Sequence, residues 1–296
     1  MSNAKRGWQD YVEWRRGSYH TVVGKLLIRE KVWSPQLNNQ RNLLVYLPPS
    51  YEQSEQRYPV LYMHDGQNLF DQATSYSEEW RVDETMQKLS DEGMEAIVVG
   101  IPNMQVHRLA EYSPFHDAYH GPGRGDRYLS FLVETVKPLI DGHFRTLPGR
   151  AHTGMLGSSM GGLISLYGFF RHSNVFGFTG IMSPALWYAN RAIYAFVRHT
   201  PFVPGKIYMD VGTREYGGVP EQAGRKRSRR YYASIRRMKR ILVKKGYRPV
   251  RDLCAVEEKW AAHDETAWAR RLPLALRFLL GEAGAPAETP PEAQVP

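Results

Sequence analysis

The apolar residues of this chain form two kinds of pattern, which alternate along its length. Short runs rich in β-branched and aromatic residues predict buried strands, whereas segments that are apolar at every third or fourth position predict amphipathic helices. The predicted strands are Thr21–Ile28, Asn42–Leu47, Val60–Met63, Ala96–Gly100, Ala151–Leu156, Gly177–Met182, Lys206–Val211 and Arg251–Val256. The predicted helices are Arg81–Glu92, Tyr128–Ile140, Met160–Phe170, Arg191–His199, Tyr231–Lys245 and Thr266–Leu280. This alternation indicates an α/β protein, with a mostly parallel sheet covered by helices on both faces.

A polar stretch rich in Asn and Gln joins the first two predicted strands, which we expect to form an antiparallel hairpin at one edge of the sheet. Two segments, Pro102–Asp126 and Gly281–Pro296, fall outside the regular alternation. The first is rich in Gly, Pro, His and Tyr and directly follows a predicted strand. A loop of that length usually carries function.

The length of 296 residues and the 42% of hydrophobic residues allow one large domain with a sizeable core. We assign residues 19–280 to this domain and residues 1–18 to an N-terminal extension, in which Ser2-Asn3-Ala4 resembles the scar of an expression tag. Residues 281–296 hold four prolines and no aromatic residue, so we expect a disordered tail.

Cysteine content and hydropathy favour a cytoplasmic protein. Cys254 is the only cysteine in the sequence, which excludes an intramolecular disulfide and a thiolate metal cluster. No apolar run approaches the roughly 18 residues that span a bilayer, and the N-terminus lacks the apolar region of a signal peptide. We therefore expect a soluble protein without a membrane span.

The formal charge of +9 is concentrated in residues 225–251, which hold thirteen Lys or Arg and no Asp or Glu, so that the remainder carries −4. Nucleic-acid binding is one interpretation, because aromatic residues lie among the arginines. However, the apolar residues recur at helical spacing, at Tyr231, Tyr232, Ile235, Met238, Ile241 and Leu242. We favour an amphipathic helix that packs on the core and expect no nucleic-acid partner, although its cations could attract anionic substrates.

A candidate nucleophile lies where a predicted strand turns into a predicted helix. Residues 157–161 read Gly-Ser-Ser-Met-Gly, the G-x-S-x-G motif in which a serine occupies a strained turn between strand and helix. Small flanking residues are needed because larger side chains would collide with the neighbouring strand and helix. The motif predicts that Ser159 is catalytic, although a serine at this place could also merely cap the helix.

A serine hydroxyl needs a histidine to remove its proton, and that histidine needs an acid to fix its tautomer. In this kind of fold the chain order is serine, acid, histidine. Only His172, His199 and His263 follow Ser159, and no Asp or Glu lies between Ser159 and either of the first two. His263, in the loop between the last strand and the last helix, is therefore the predicted base.

The acid must lie between Ser159 and His263, where the choices are Asp210, Glu215, Glu221, Asp252, Glu257 and Glu258. Asp252 begins the last strand and therefore lies at the wrong edge of a parallel sheet, and Glu257 and Glu258 lie close to His263 in sequence. Glu215 follows a strand through a Gly-Thr turn, at the edge where catalytic loops gather. We take Glu215 as the first choice, Asp210 as the second and Glu221 as the third.

The oxyanion of a tetrahedral intermediate requires backbone N–H donors in fixed positions. Met160, directly after the nucleophile, offers one N–H group. The loop that follows the strand Val60–Met63 reads His-Asp-Gly-Gln-Asn, and its glycine permits a close approach that makes the Gln67 N–H the second predicted donor. The scattered His and Asp residues of the chain do not have the spacing of a metal site, so we predict no metal or other cofactor.

Several motifs together resemble an esterase branch of the α/β-hydrolases that includes enterochelin esterases, feruloyl and acetylxylan esterases and mycolyltransferases. The resemblance extends over roughly residues 20–280 and rests on residues 45–49 (VYLPP) with Tyr51, 60–71 (VLYMHDGQNLFD), Glu79-Trp80 with Asp83, and 157–162 (GSSMGG). It implies an α/β-hydrolase fold. It also implies a triad acid after the Gly-Thr that follows the seventh strand, which is Glu215, and a His-Asp-x-x-x-Trp pattern, which is His263-Asp264 with Trp268.

The resemblance implies a serine carboxylesterase that acts on a small-molecule ester through an acyl-enzyme intermediate. Trp80, Trp187 and Tyr216 are candidate walls of an acyl pocket, because flat rings bury a large area, but each could equally belong to the core. Ferric siderophore esters and feruloyl or acetyl carbohydrate esters are the alternative substrates. A non-catalytic protein that binds anions or nucleic acid through residues 225–251 is the alternative of another class, and the oligomeric state stays open.

Overall fold

The structure is a computed structural model that describes residues 7–217 and 221–281. Its strands are β1 (Gln9–Asp10), β2 (Lys25–Ser34), β3 (Asn39–Leu47), β4 (Val60–His64), β5 (Ile97–Ile101), β6 (Thr153–Ser158), β7 (Phe178–Met182), β8 (Lys206–Gly212) and β9 (Leu253–Glu258). Its α-helices are α1 (Tyr11–Trp14), α2 (Val82–Asp91), α3 (Arg108–Glu111), α4 (Gly125–Ser130), α5 (Lys137–His143), α6 (Met160–Arg171), α7 (Tyr188–His199), α8 (Glu221–Lys245) and α9 (Glu265–Leu280). A π-helical segment, Phe131–Val136, joins α4 to α5.

The strands form one sheet in the order β1-β2-β3-β5-β4-β6-β7-β8-β9. The pairs β1–β2, β2–β3 and β3–β5 are antiparallel, and every pair from β5 to β9 is parallel. The predicted hairpin is thus β2–β3, with the short β1 added outside it. The parallel part has consequences for function, because all of its strands end at the same edge of the sheet.

Alternate residues of each strand face opposite sides of the sheet, and each side has its own hydrophobic core. In β4, Val60 and Tyr62 pack with residues of α5 to α8, whereas Leu61 and Met63 pack with residues of α1, α2 and α9. Strands apolar on both faces are what a sheet covered by helices on both sides requires. The predicted α/β architecture is confirmed.

All eight predicted strands and six predicted helical segments are present, with boundaries shifted by a few residues in most cases. Helix α8 begins about three turns before its predicted start at Tyr231. The prediction missed these turns because they are polar and show no apolar periodicity. The elements that sequence reasoning missed, β1, α1 and α3, contain four residues or fewer, which is too short for a period to be recognised.

The structure describes most of the expected N-terminal extension but almost none of the expected C-terminal tail. Within the expected N-terminal extension, Trp8 and Tyr11 are buried in the core and β1 pairs with β2. The expected disordered tail lies outside the described residues, apart from Gly281. Across residues 7–217 and 221–281, none of the helices has both the length and the apolar character needed to cross a bilayer.

Candidate active site

The candidate catalytic residues lie at the carboxyl edge of five adjacent parallel strands. Gln67 follows β4, Ser159 follows β6, Ser183 follows β7, Glu215 follows β8 and His263 follows β9. These positions are far apart in the sequence, and the strand order places them in neighbouring loops. Loops at this edge of an open α/β sheet are the usual place for a binding site.

Ser159 occupies a strained turn between β6 and α6. Its backbone has φ 53° and ψ −116°, a conformation that residues other than glycine rarely adopt. Its N–H donates to the carbonyl of Met182 at 3.0 Å, and its own carbonyl accepts from the N–H of Ala185 at 2.9 Å. The turn is thus bonded to the end of β7 and the loop after it, and it leaves the Ser159 side chain partly exposed.

The glycines on either side of the serine are closely packed. A Cβ on Gly157 would lie 2.8 Å from the backbone of Gly161 and 2.8 Å from the His64 ring. A Cβ on Gly161 would lie 3.3 Å from the Cβ of His64. The expected collision is therefore observed at Gly157, whereas a Cβ at Gly161 would make a tight contact with His64 that a shift of a few tenths of an ångström could relieve.

Glu215 and His263 are brought into direct contact. The distance between His263 Nδ1 and Glu215 Oε2 is 2.5 Å. The other carboxylate oxygen of Glu215 accepts hydrogen bonds from the Ser183 hydroxyl at 2.7 Å and from the Gly212 N–H at 2.5 Å. The Glu215 side chain is fully buried, whereas the His263 side chain is 27% exposed. A buried acid that fixes the inner nitrogen of a partly exposed imidazole is the arrangement a general base requires.

Backbone pairing explains how two residues 48 positions apart come to meet. The N–H of Thr213 donates to the Glu258 carbonyl at 3.0 Å, and the N–H of Arg214 donates to the Ala261 carbonyl at 2.9 Å. Gly212 is needed in this pairing, because a Cβ there would lie 2.2 Å from the Ala261 oxygen. The Gly-Thr turn therefore holds the loop of Glu215 against the loop of His263.

The start of α9 fixes the orientation of His263. Asp264 caps this helix, since its side chain accepts a hydrogen bond from the N–H of Ala267 at 2.8 Å. One turn later Trp268 lies edge-on to the His263 ring, with 4.9 Å between ring centroids. The His-Asp-x-x-x-Trp pattern thus combines a capped helix with an aromatic wall for the imidazole.

Asp210, the second choice for the acid, has other partners. Its Oδ1 accepts from the Ser183 N–H at 3.0 Å, and its Oδ2 lies 3.0 Å from Nε of Arg271. Arg271 is itself buried and also bonds Glu258 and the Ser183 hydroxyl. This geometry favours Glu215 as the partner of His263. Asp210 instead binds Ser183 and Arg271, both of which lie next to Glu215 or its hydrogen-bond partners.

The predicted oxyanion loop is a short 3₁₀ turn, Gly66–Asn68. It begins after Asp65, whose φ is 56° and whose carboxylate accepts two hydrogen bonds from Arg108, at 2.7 and 2.8 Å, and one from Asn103 at 2.7 Å. Burial would raise the pKa of Asp65, but Arg108 and Asn103 outweigh it and hold this pKa below its ordinary value. The long loop 102–126 therefore supplies the residues that fix the turn.

The two predicted N–H donors lie where helical turns leave such groups without intrahelical partners. Met160 is the first residue of α6, and Gln67 is the second residue of its 3₁₀ turn. The first N–H groups of a helical turn have no carbonyl partner within it and can bind an anion. The Gln67 side chain is also fixed, because its Oε1 accepts from the Asn103 N–H at 3.1 Å.

His64, which precedes this turn, has a structural contact rather than a ligand set. Its Nδ1 lies 2.7 Å from the Tyr128 hydroxyl, and burial lowers the pKa of His64 to about 4. The imidazole is consequently neutral at ordinary pH and packs against Tyr112 and Tyr128, which also contact each other. That no metal binds at His64 stays a prediction from the sequence.

The three aromatic residues predicted for the pocket lie in different surroundings. Trp80 is buried behind Trp268, with 5.6 Å between the rings, so it supports the wall of His263 rather than facing the cleft. Trp187 is 48% exposed in the segment that follows Ser183. Tyr216 is half-buried, packs on Tyr231 and lines a cavity beside the Glu215 loop.

Ser183 and Arg271 are residues of the site that sequence reasoning missed. Ser183 directly follows β7, so its position at the carboxyl edge of the sheet was a usable signal. Arg271 gave no such signal, because it lies within α9 and turns its charge into the protein. Tyr231, whose hydroxyl donates to the Ser183 carbonyl at 2.7 Å, completes the surroundings of this serine.

We expect Ser183→Ala to lower kcat about tenfold to a hundredfold without a large change in KM, because a hydrogen bond to a charged group is worth about 1.5–3 kcal/mol. The steady-state rate of ester hydrolysis measures this effect. Ser165→Ala is the matched control: Ser165 is equally buried, but its hydroxyl bonds the Gly161 carbonyl within α6. Equal rates for the two variants would show that the Ser183 hydroxyl does not assist catalysis through Glu215.

A comparison with known protein families matches residues 34–279 to a family of esterases described as "Putative esterase". The chain belongs to this esterase family. Its members are hydrolases that act on esters, and the match includes the loops of Gln67, Ser159, Glu215 and His263.

Individual relatives are more distant. An uncharacterized protein YbbA of Bacillus subtilis is 27% identical over 251 residues, which are 82% of this chain and 93% of that protein. A siderophore enterobactin esterase of Emericella nidulans is 29% identical over 162 residues, 49% of this chain and 52% of that protein. Among solved structures, an IroE-like serine hydrolase from Shewanella oneidensis aligns with a TM-score of 0.66 and 20% identity, over 88% of this chain and 80% of that one. The esterase has the α/β-hydrolase fold.

Proposed function

We propose that this esterase is a serine carboxylesterase with a Ser159–His263–Glu215 triad. The observation that carries the proposal is the 2.5 Å contact between His263 and the buried Glu215, at the same sheet edge as the strained Ser159. Membership of the esterase family supports it independently. The bond to Glu215 occupies Nδ1, so Nε2 of His263 is the nitrogen left to exchange a proton with the substrate side.

The reaction proceeds in two halves. Ser159 Oγ attacks the ester carbonyl while His263 takes its proton, and the resulting tetrahedral intermediate expels the alcohol, to which His263 returns the proton. Water then attacks the acyl-enzyme, with His263 as the base, and releases the carboxylic acid and free Ser159. Glu215 stays ionised throughout and stabilises the imidazolium.

The negative oxygen of each tetrahedral intermediate is stabilised by the N–H groups of Gln67 and Met160. Both groups lie at the starts of turns whose backbone is fixed. The Asp65–Arg108 pair fixes the turn of Gln67, and the strained turn at Ser159 fixes the position of Met160. A preorganised donor of this kind is worth about 10²–10³ in kcat. The mechanism requires no cofactor.

Hydrolysis of p-nitrophenyl acetate and p-nitrophenyl butyrate by the purified protein tests the proposed activity. We expect release of p-nitrophenolate that is saturable in substrate and proportional to protein. A purified, folded protein that hydrolyses neither ester and does not react with a fluorophosphonate would contradict the assignment.

A cavity beside the triad favours aromatic or anionic esters as substrates. It measures about 330 Å³ and adjoins the Glu215 loop, and its lining does not include Ser159 or His263. The lining combines aromatic rings with arginines: Arg214, Tyr216, Arg225, Arg229, Tyr232 and Trp260. Arg214 stacks on the Trp260 ring at 4.3 Å, which leaves a cationic, flat-walled recess next to the acid.

Helix α8 supplies the cationic side of this cavity. Tyr231, Ile235, Met238 and Leu242 are buried on its inner face, in agreement with the amphipathic prediction, and the cations lie on the other faces. Because its first turns adjoin the cavity, the charge of the helix acts close to the site. Ferric siderophore esters, which are anionic, and feruloyl esters, which are aromatic, are therefore the alternative substrates that this observation favours.

We expect Arg229→Gln to lower kcat/KM severalfold for an anionic aryl ester and to leave it unchanged for a neutral ester of similar size. The wild-type rate for the anionic ester should also fall as salt is added, because salt screens exposed charges. Arg240→Gln is the matched control, since it removes the same charge from an exposed position about 16 Å further along the helix. An equal loss in both variants, or an equal salt response for both esters, would contradict the steering role.

A further inference from the structure

Three carboxylates lie together at the start of α2, away from the catalytic residues. Glu79, Asp83 and Glu84 each place a ligand oxygen within 4.8 Å of the other two. Asp83 is fully buried and Glu79 is 5% exposed, whereas Glu84 is partly open to solvent. The proposed catalytic chemistry uses none of them.

Each of the two buried carboxylates has one oxygen held by the N-terminal segment and one without a partner. Glu79 Oε2 accepts from the Thr21 hydroxyl at 2.6 Å, and Asp83 Oδ2 accepts from the Val23 N–H at 2.7 Å. The remaining oxygens, Glu79 Oε1 and Asp83 Oδ1, are buried without a hydrogen-bond partner, as is Glu84 Oε2. Unpartnered buried oxygens that cluster in this way need a compensating ligand.

The electrostatics lead to the same requirement. In the part of the chain that the structure describes, neither Lys nor Arg forms an ion pair with any of the three. The cluster must therefore hold protons or a cation.

In contrast to the prediction from sequence that no metal binds, we propose that Glu79, Asp83 and Glu84 bind one Ca²⁺ ion. Carboxylate oxygens are ligands for hard cations, and zinc sites in proteins are built mainly from His and Cys. Three carboxylates that differ in burial suit the flexible shell of six to eight oxygens at about 2.3–2.6 Å that Ca²⁺ takes, whereas Mg²⁺ demands a near-ideal octahedron at about 2.0–2.1 Å. The partly open Glu84 gives the ion access and leaves room for water ligands.

The ion has a stabilising role in this position. It joins Glu79, which already accepts a hydrogen bond from the Thr21 hydroxyl, to Asp83 of α2, which accepts one from the Val23 N–H. Trp80 packs on Trp268, which contacts His263, so the site also supports the wall behind the triad. Its effect is thus expected first in thermal stability, which can be measured without any substrate.

Calcium binding to the full chain, stripped with EDTA and dialysed, tests the proposal by calorimetry and by melting temperature. We expect one Ca²⁺ per chain and a rise in Tm of about 5 °C at a Ca²⁺ concentration about 100-fold above Kd, with a much smaller effect of equal Mg²⁺. Glu84→Gln and Asp83→Asn should lose both signals, whereas Glu78→Gln, an exposed neighbour, should keep them. Asp83→Asn should also match or exceed the wild-type Tm in EDTA, because it removes a buried acid.

Three results would overturn the site. These are the absence of bound Ca²⁺ and of a Tm shift in the wild type, an undiminished Ca²⁺ response in Glu84→Gln, or an equal response to Mg²⁺. Glu84 is partly exposed, so its Gln variant is expected to fold and keeps the test decisive if Asp83→Asn does not. The readouts do not depend on ester hydrolysis, so failure of the carboxylesterase proposal would leave them unaffected.

Discussion

Replacing Ser159 by Ala is expected to abolish ester hydrolysis, with a loss in kcat of about a millionfold, because it removes the hydroxyl that attacks the ester carbonyl. The fold should be unchanged. Ala removes only the hydroxyl, and the bonds that fix the turn come from the backbone of Ser159 to Met182 and Ala185. The measurement is the steady-state hydrolysis of p-nitrophenyl butyrate, with Tm and circular dichroism recorded on the same samples.

Ser158→Ala is the matched control for this loss. Ser158 precedes the nucleophile in the same motif, ends β6 and is buried, so its variant makes the same chemical change one residue away. We expect it to retain most of the activity. Appreciable hydrolysis by Ser159→Ala would show that another group is the nucleophile, and an equal loss in both variants would point to damage of the turn instead.

Glu215→Gln is expected to lower kcat by about 10⁴, because the amide can stabilise the wrong tautomer of His263 and cannot stabilise the imidazolium. The variant keeps the size of the side chain. It also keeps an oxygen that can accept the hydrogen bonds from Ser183 and Gly212. The loss should therefore fall on kcat, and its size should depend on His263 remaining in place.

Asp210→Asn provides the comparison that decides between the two acids. This change weakens the buried pair with Arg271, so we expect a lower Tm, since a buried charge that loses its partner is destabilising. The rate of the folded protein should fall far less than in Glu215→Gln. If Asp210→Asn instead causes the larger loss in kcat at a temperature where both variants are folded, Asp210 is the acid and Glu215 is not.

The sheet and the order of the catalytic loops were predictable because they depend on local patterns. Runs apolar on both faces identified β4 to β8, and the carboxyl-edge rule then selected Glu215 over Asp252 without knowledge of the strand order. Asp252 indeed precedes β9 and bonds Arg248. His263 was predicted from the order of residues along the chain alone, and in the structure its ring is hydrogen-bonded to Glu215.

The support of these residues could not be predicted, because it depends on side chains that meet only in three dimensions. Arg271 lies in a helix whose sequence gives no sign that its guanidinium turns inward to Asp210. Trp80 is the type of residue that often lines a pocket, but in the structure it is buried against Trp268. The Asp65–Arg108 pair likewise joins the loop after β4 to the start of α3, two segments that no periodicity relates.

Covalent labelling with a fluorophosphonate tests the central claim most directly. The account predicts one adduct per chain on the peptide that carries Ser159, with loss of hydrolysis in proportion to labelling and no adduct in Ser159→Ala. It also predicts much slower labelling of Glu215→Gln, because His263 then activates the hydroxyl poorly. An adduct on a different residue, or hydrolysis that persists in fully labelled protein, would contradict the assignment of Ser159 as the nucleophile.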